Sequence, residues 1–148
     1  MSLFAKMMRR RPADLLLAME ALVLLAVFRI CLAVVPVRRI IRGLTHGKIE
    51  ESTTHASPLD EDEQTAARRV QWAVRAAARH SPVEFVCFPQ TLAAYLMLRR
   101  RGYASTIVYG VRRSPNQSLL AHTWLEMGDG VVVGGEESEG FAPIERWS

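Results

Sequence analysis

The sequence predicts an α+β fold, with helices first and a small antiparallel sheet last. Three observations carry this reading. Helical periodicity dominates residues 12–101, and three strand-like runs crowd into residues 104–135. Short turn-rich breaks, "RRSPNQS" and "GDG", separate those runs at hairpin spacing. Helices in one block and antiparallel strands in the next make α+β the class, since a parallel sheet would alternate the two. A chain of 148 residues suits one domain of ordinary size, and an apolar fraction of 49% is enough to bury a core.

Taken in order, the first element is apolar for more than twenty residues, "PADLLLAMEALVLLAVFRICLAVVPVRRIIRGL", with "RRR" just before it. Glu20 and Arg29 interrupt the run, and each is costly at a bilayer centre. No small-x-small cleavage site follows, which argues against a secretory signal. The reading is one long helix, packed on the domain or on a partner and ended or kinked by Pro36. A membrane-surface or spanning helix is the alternative. Residues 1–48 form this apolar and basic helical region, residues 49–57 a polar linker, and residues 58–148 the main domain. Ser57 reads as an N-cap and Pro58 as the first helical residue, with acids in the first turn. Ala66, Ala67, Val70, Ala73, Val74 and Ala77 recur at helical spacing until His80, before Ser81-Pro82. A third helix follows Cys87. Pro89 suits its first turn, Arg99, Arg100 and Arg101 read as a solvated, dipole-complementing end, and Gly102 is a good C′ residue. The strands are placed at 104–111, 119–127 and 131–135.

Net charge is +4, but it is unevenly spread. Residues 1–48 hold nine Lys/Arg against two acids, whereas residues 50–63 hold six acids and no base. No basic run is interleaved with aromatics, so a nucleic-acid partner is not expected. The charge points weakly to an acidic peptide or a membrane surface. The two cysteines, Cys31 and Cys87, are too few for a disulfide framework, and no metal-ligand spacing is present. A reducing, cytoplasmic compartment fits, and neither metal nor organic cofactor is implied.

Cys87 and His122 are the candidate chemistry. A thiol at a helix start faces the unpaired N–H groups of the first turn, which favour the thiolate and can hold an oxyanion. A base can arrive from a distant strand. Strand parity puts His122, Trp124 and Glu126 on one face and Ala121, Thr123 and Leu125 on the other. If "GDG" is a three-residue loop, Met127 pairs with Val131 and His122 faces Glu136, the candidate orienting acid. Another loop length brings Gly135 or Glu137 opposite instead. Glu126 lies four residues along the strand, too far for a reliable contact. The bland readings stand beside these. Cys is often a small buried hydrophobe, as Cys31 reads in its apolar helix. A lone strand His is often structural, and Glu136 reads equally as solvated surface. His46, His55 and His80 carry no signal, and Trp72 and Trp124 read as packing. Spacing alone leaves the Cys/His site open.

The order of the pieces resembles a known pattern. "CFPQTLAAYLMLRRRG", "VYGVRR", "AHTWLE" and the closing "GFAPIERW" are similar to the transglutaminase-like, papain-like cysteine peptidase core. More narrowly, the chain resembles the lasso-peptide biosynthesis B proteins in their short form, including the leading helical region. The match is carried by residues 84–144. The resemblance implies a cysteine peptidase that removes the leader from a ribosomally synthesised precursor peptide, with Cys87 as nucleophile and His122 as base. That family usually has an Asp about a dozen residues after the His. Here the place is Gly134, and Glu136, two residues on, is the substitute on the same strand face. A Cys–His dyad aided by a backbone carbonyl is the other arrangement. The implied partners are the leader region of the precursor, a separate leader-recognition protein and a lasso cyclase. The long N-terminal helix offers a docking surface for one of them or a contact with the membrane surface. An amide transferase on the same core, and a non-catalytic peptide- or membrane-binding scaffold, are the rival readings.

Overall fold

A computed structural model describes residues 12–45, 57–80 and 87–148. The expected linker lies outside them apart from Ser57, as do His46 and His55. The apolar run becomes two helices, α1 (Pro12–Val34) and α2 (Val37–Leu44). The break falls at Pro36, which has no N–H to continue the ladder.

Next comes α3 (Glu61–His80). Its N-cap is Asp60, and neither Ser57 nor Pro58 is part of the helix. Glu63 N–H donates to Asp60 Oδ1 at 2.8 Å, and Asp60 N–H donates back to Glu63 Oε2 at 3.0 Å. This reciprocal capping box satisfies two orphan donors at once, an arrangement that Ser57 followed by Pro58 lacks.

The central helix is α4 (Cys87–Arg99). Leu92, Ala93, Ala94, Tyr95, Met97 and Leu98 are all buried, so the helix is apolar nearly all round, as an element enclosed on several sides must be. It packs on α1, α3 and the second strand. It ends in a Schellman motif: Tyr103 N–H donates to Leu98 O, Gly102 N–H donates to Arg99 O, and Gly102 takes the left-handed φ of +82°. The three arginines are exposed, as expected of a solvated end, yet they also have partners. Arg100 and Arg101 pair with Glu20 on α1, and Arg99 donates to the carbonyl of Leu44 at the end of α2. Together they clamp the N-terminal helices to the core.

The sheet comprises β1 (Thr106–Arg113), β2 (Leu119–Met127), β3 (Gly130–Val133) and β4 (Ala142–Trp147), all antiparallel in the order β3-β2-β1-β4. The first two strand expectations hold, and β4 was not expected. Pro143 breaks its pattern, yet β4 is an edge strand, where a residue without an N–H is tolerated. In the β2–β3 hairpin Met127 pairs with Gly130, so the loop is the two residues Gly128-Asp129. The three-residue loop expected from "GDG" is corrected. Gly128, with φ +56°, supplies the positive φ such a tight loop needs at its first position. β3 then stops at Val133, because Gly134 turns into the left-handed region with φ +80° and opens the short helix α5 (Gly135–Ser138). The ladder ends before it reaches His122.

Candidate active site

Cys87 is the first residue of α4 and is half-buried with a free thiol. The N–H groups of Cys87 and Phe88 have no partner within the helix, and Pro89 contributes none. Two contacts hold this end of α4 against the sheet at one level. The Thr91 hydroxyl, one turn on, shares its single proton between Cys87 O at 3.0 Å and Thr123 O at 3.3 Å. The Phe88 ring lies 6.1 Å from the Tyr109 ring. Tyr109 pairs with Thr123 across β1 and β2, and the next pair is Gly110 with His122. The start of α4 is thereby fixed beside the strand position next to the histidine. Among the described residues no hydrogen bond joins the Cys87 thiol to the imidazole.

His122 is buried, 5% exposed, so its ring nitrogens need partners from the protein. Nε2 lies 2.9 Å from Gly134 O. A carbonyl can only accept, so Nε2 carries the proton, and in the neutral ring Nδ1 keeps the lone pair. The ring is braced on two sides. Trp124 stacks at 6.0 Å and 21°, and Phe141 meets it at 5.4 Å and 47°. The expected shared face of His122, Trp124 and Glu126 is present, since their partners Gly110, Val108 and Thr106 alternate along β1. Trp124 Nε1–H donates to Glu126 Oε1 at 2.8 Å, and Glu126 is paired with Arg146 of β4. Glu126 thus anchors the indole and not the imidazole.

The register argument placed Glu136 opposite His122; a bulge between Leu125 and Glu126 restores that register, with Leu125 paired to Val133, but the ladder stops there and does not reach His122. Glu136 lies on α5 with its carboxylate 3.2 Å from Arg75, and its side chain is largely exposed. The acid nearest the ring is Glu137, whose Oε2 is 3.9 Å from Nδ1 and is also exposed. The group that touches the imidazole is the backbone of Gly134, the position where the resembling family places its Asp. A Cβ built on Gly134 would lie 3.1 Å from His122 Nε2. Sequence reasoning missed Thr91 and Phe141. Thr91 was signalled only by its i+4 spacing from Cys87, and Phe141 by nothing but its place in "GFAP".

The imidazole forms part of the wall of an open cleft of about 630 Å³, with Arg112, Leu120, Glu137 and Phe141. The Arg112 guanidinium carbon lies over the Phe141 ring, 4.7 Å from its centre. One wall is therefore a cation stacked on an aromatic ring and the other is acidic, a surface suited to a polar extended chain. Among the described residues no group of three or more His, Cys, Asp or Glu is arranged to hold a metal ion.

Searches of the curated proteins and of the solved structures return no match. The family model described as the transglutaminase-like superfamily matches residues 31–146, from the last turn of α1 to β4. That span contains α4 with Cys87, the strand with His122 and the turn at Gly134, and on it the chain belongs to the transglutaminase-like superfamily.

Proposed function

We propose that this chain is a cysteine peptidase that removes the leader from a lasso-peptide precursor. Superfamily members are typically cysteine peptidases or transferases, and the resemblance of the quoted motifs supplies the narrower substrate. The observation that carries the chemistry is the Nε2–H bond to Gly134 O, which leaves Nδ1 as the basic nitrogen on the strand beside the start of α4. Nδ1 takes the Cys87 proton, and the thiolate attacks the scissile carbonyl. The oxyanion is held by the N–H groups of Cys87 and Phe88 at the start of α4. The imidazolium then protonates the leaving amine of the core peptide. Water cleaves the remaining thioester and releases the leader as an acid, returning the proton through His122. Catalytic hydrogen bonds often tighten only in the substrate complex, so the thiol and Nδ1 are expected to meet there.

The test is incubation of the full chain with precursor and the partner proteins, followed by mass analysis. Cys87→Ala is expected to abolish release of a leader-length acid while the fold survives. An isopeptide product in place of the acid would assign a transferase, and undiminished cleavage by Cys87→Ala would remove Cys87 from the mechanism.

A further inference from the structure

We infer that α1 and α2 form an in-plane docking surface for an anionic lipid bilayer. α1 has two apolar faces. Leu17, Ala21, Leu25 and Phe28 are buried against the body of the protein. Leu16, Met19, Val23, Val27, Ile30 and Val34 form a second stripe at helical spacing, each between 45% and 76% exposed. At a rise of 1.5 Å per residue the 23-residue helix runs about 35 Å, so this patch is far longer than the scattered apolar exposure of an ordinary surface.

Charge selects the occupant. Both acids of α1 are turned inward, Asp14 onto Arg69 and Glu20 onto Arg100 and Arg101. The outward side therefore carries no carboxylate. The exposed charged groups toward its C-terminal end are cations: Arg29 on α1, and Arg38, Arg39 and Arg42 on α2. Basic residues thus gather where the apolar stripe ends and α2 begins. A second copy packed parallel on this face would set these arginines against their own counterparts. Anionic headgroups meet these arginines, while acyl chains cover the stripe beside them.

The geometry also separates lying on a membrane from crossing it. α1 is long and apolar enough to cross a membrane by composition. Crossing would strip Leu17, Ala21, Leu25 and Phe28 from the core and place Asp14 and Glu20 in hydrocarbon. The ion pairs and the buried face hold the helix against the body, so only its outer arc is offered to the bilayer.

Flotation of the full chain with phosphatidylcholine vesicles, with and without phosphatidylglycerol, tests the inference. Binding is expected to the phosphatidylglycerol vesicles, weaker to phosphatidylcholine alone, and to be released by high salt or alkaline carbonate. Ile30→Asp and Val23→Ser, both at exposed sites, should each weaken binding while the thermal melt stays unchanged. Arg38→Ala with Arg39→Ala should lower partitioning by roughly 30-fold. Four outcomes overturn the inference: no binding to either vesicle, equal binding to both, carbonate-resistant insertion, or a dimer that Ile30→Asp dissolves. None of them bears on the peptidase reading, because the stripe lies on α1 and the Cys/His site on α4 and β2.

Discussion

Gly134 sets the imidazole in two ways. Its carbonyl fixes the tautomer of His122, and its missing side chain leaves the ring room. Its φ of +80° is disfavoured for any L side chain, and a Cβ would lie 2.9 Å from Thr123 O. Gly134→Ala is expected to cost about 1–2 kcal/mol from the left-handed backbone alone, and to slow cleavage by tilting the ring. Chemical denaturation and single-turnover kinetics measure the two effects separately, and unchanged cleavage would show that the turn does not govern the base. The neighbouring acids should matter less. Glu136→Gln removes only an exposed pair with Arg75, so its rate should stay within about twofold of the parent. Glu137→Gln, 3.9 Å from Nδ1 but solvated, should lose no more than about tenfold. A large loss in Glu136→Gln alone would return that residue to the role of orienting acid. The positions of Cys87 at a helix start and His122 within a strand were legible, because a helix start and a mid-strand polar residue leave local marks. Which carbonyl meets the imidazole was not, because a backbone carbonyl has no sequence signature and its position depends on where one hairpin stops.

Among the elements, β1 and β2 were legible by alternation and α4 by its apolar density, with Gly102 as its stop. What escaped was set by partners distant in sequence. The arginines at 99–101 look like any solvated helix end until α1 supplies Glu20 and α2 supplies the Leu44 carbonyl. β4 is an edge strand with an internal proline, so it exists only because β1 offers it an edge. The pairing of β1 with β2 also explains Gly110, which sits opposite His122. A Cβ there would lie 2.6 Å from the Trp124 ring and 3.0 Å from Ala142 O. The indole has little room to yield, since it is stacked on His122 and hydrogen-bonded to Glu126. Gly110→Ala should therefore destabilise the fold by about 1–3 kcal/mol, the usual range for overpacking. It should also perturb the tryptophan near-UV signal. A variant as stable as the parent would mean that the β1–β4 edge absorbs the extra carbon by sliding.

At the scale of the whole molecule, the end of α2 is tied to α4 through its backbone. The Leu44 carbonyl at the end of α2 receives Arg99 and, at 3.4 Å, the Tyr95 hydroxyl, both from α4. Tyr95 is buried, and burial holds its phenol above the ordinary value near 10, although the Arg99 guanidinium pulls the other way. The sign of the stability effect follows from which state releases the proton first. Below pH 10 both states keep it, and the stability is fully present. Above pH 10 the unfolded chain ionises while the folded one does not, so unfolding becomes easier until the folded pKa is passed. The slope from this one group cannot exceed about 1.4 kcal/mol per pH unit. Tyr95→Phe deletes the phenol and its long hydrogen bond, so it should be slightly less stable at neutral pH yet lose less on going from pH 9 to pH 11. Urea unfolding of parent and variant across that range isolates the residue, because the other titrating groups cancel in the difference. Parallel curves would mean that the Tyr95 phenol ionises as easily in the folded state as in the unfolded one.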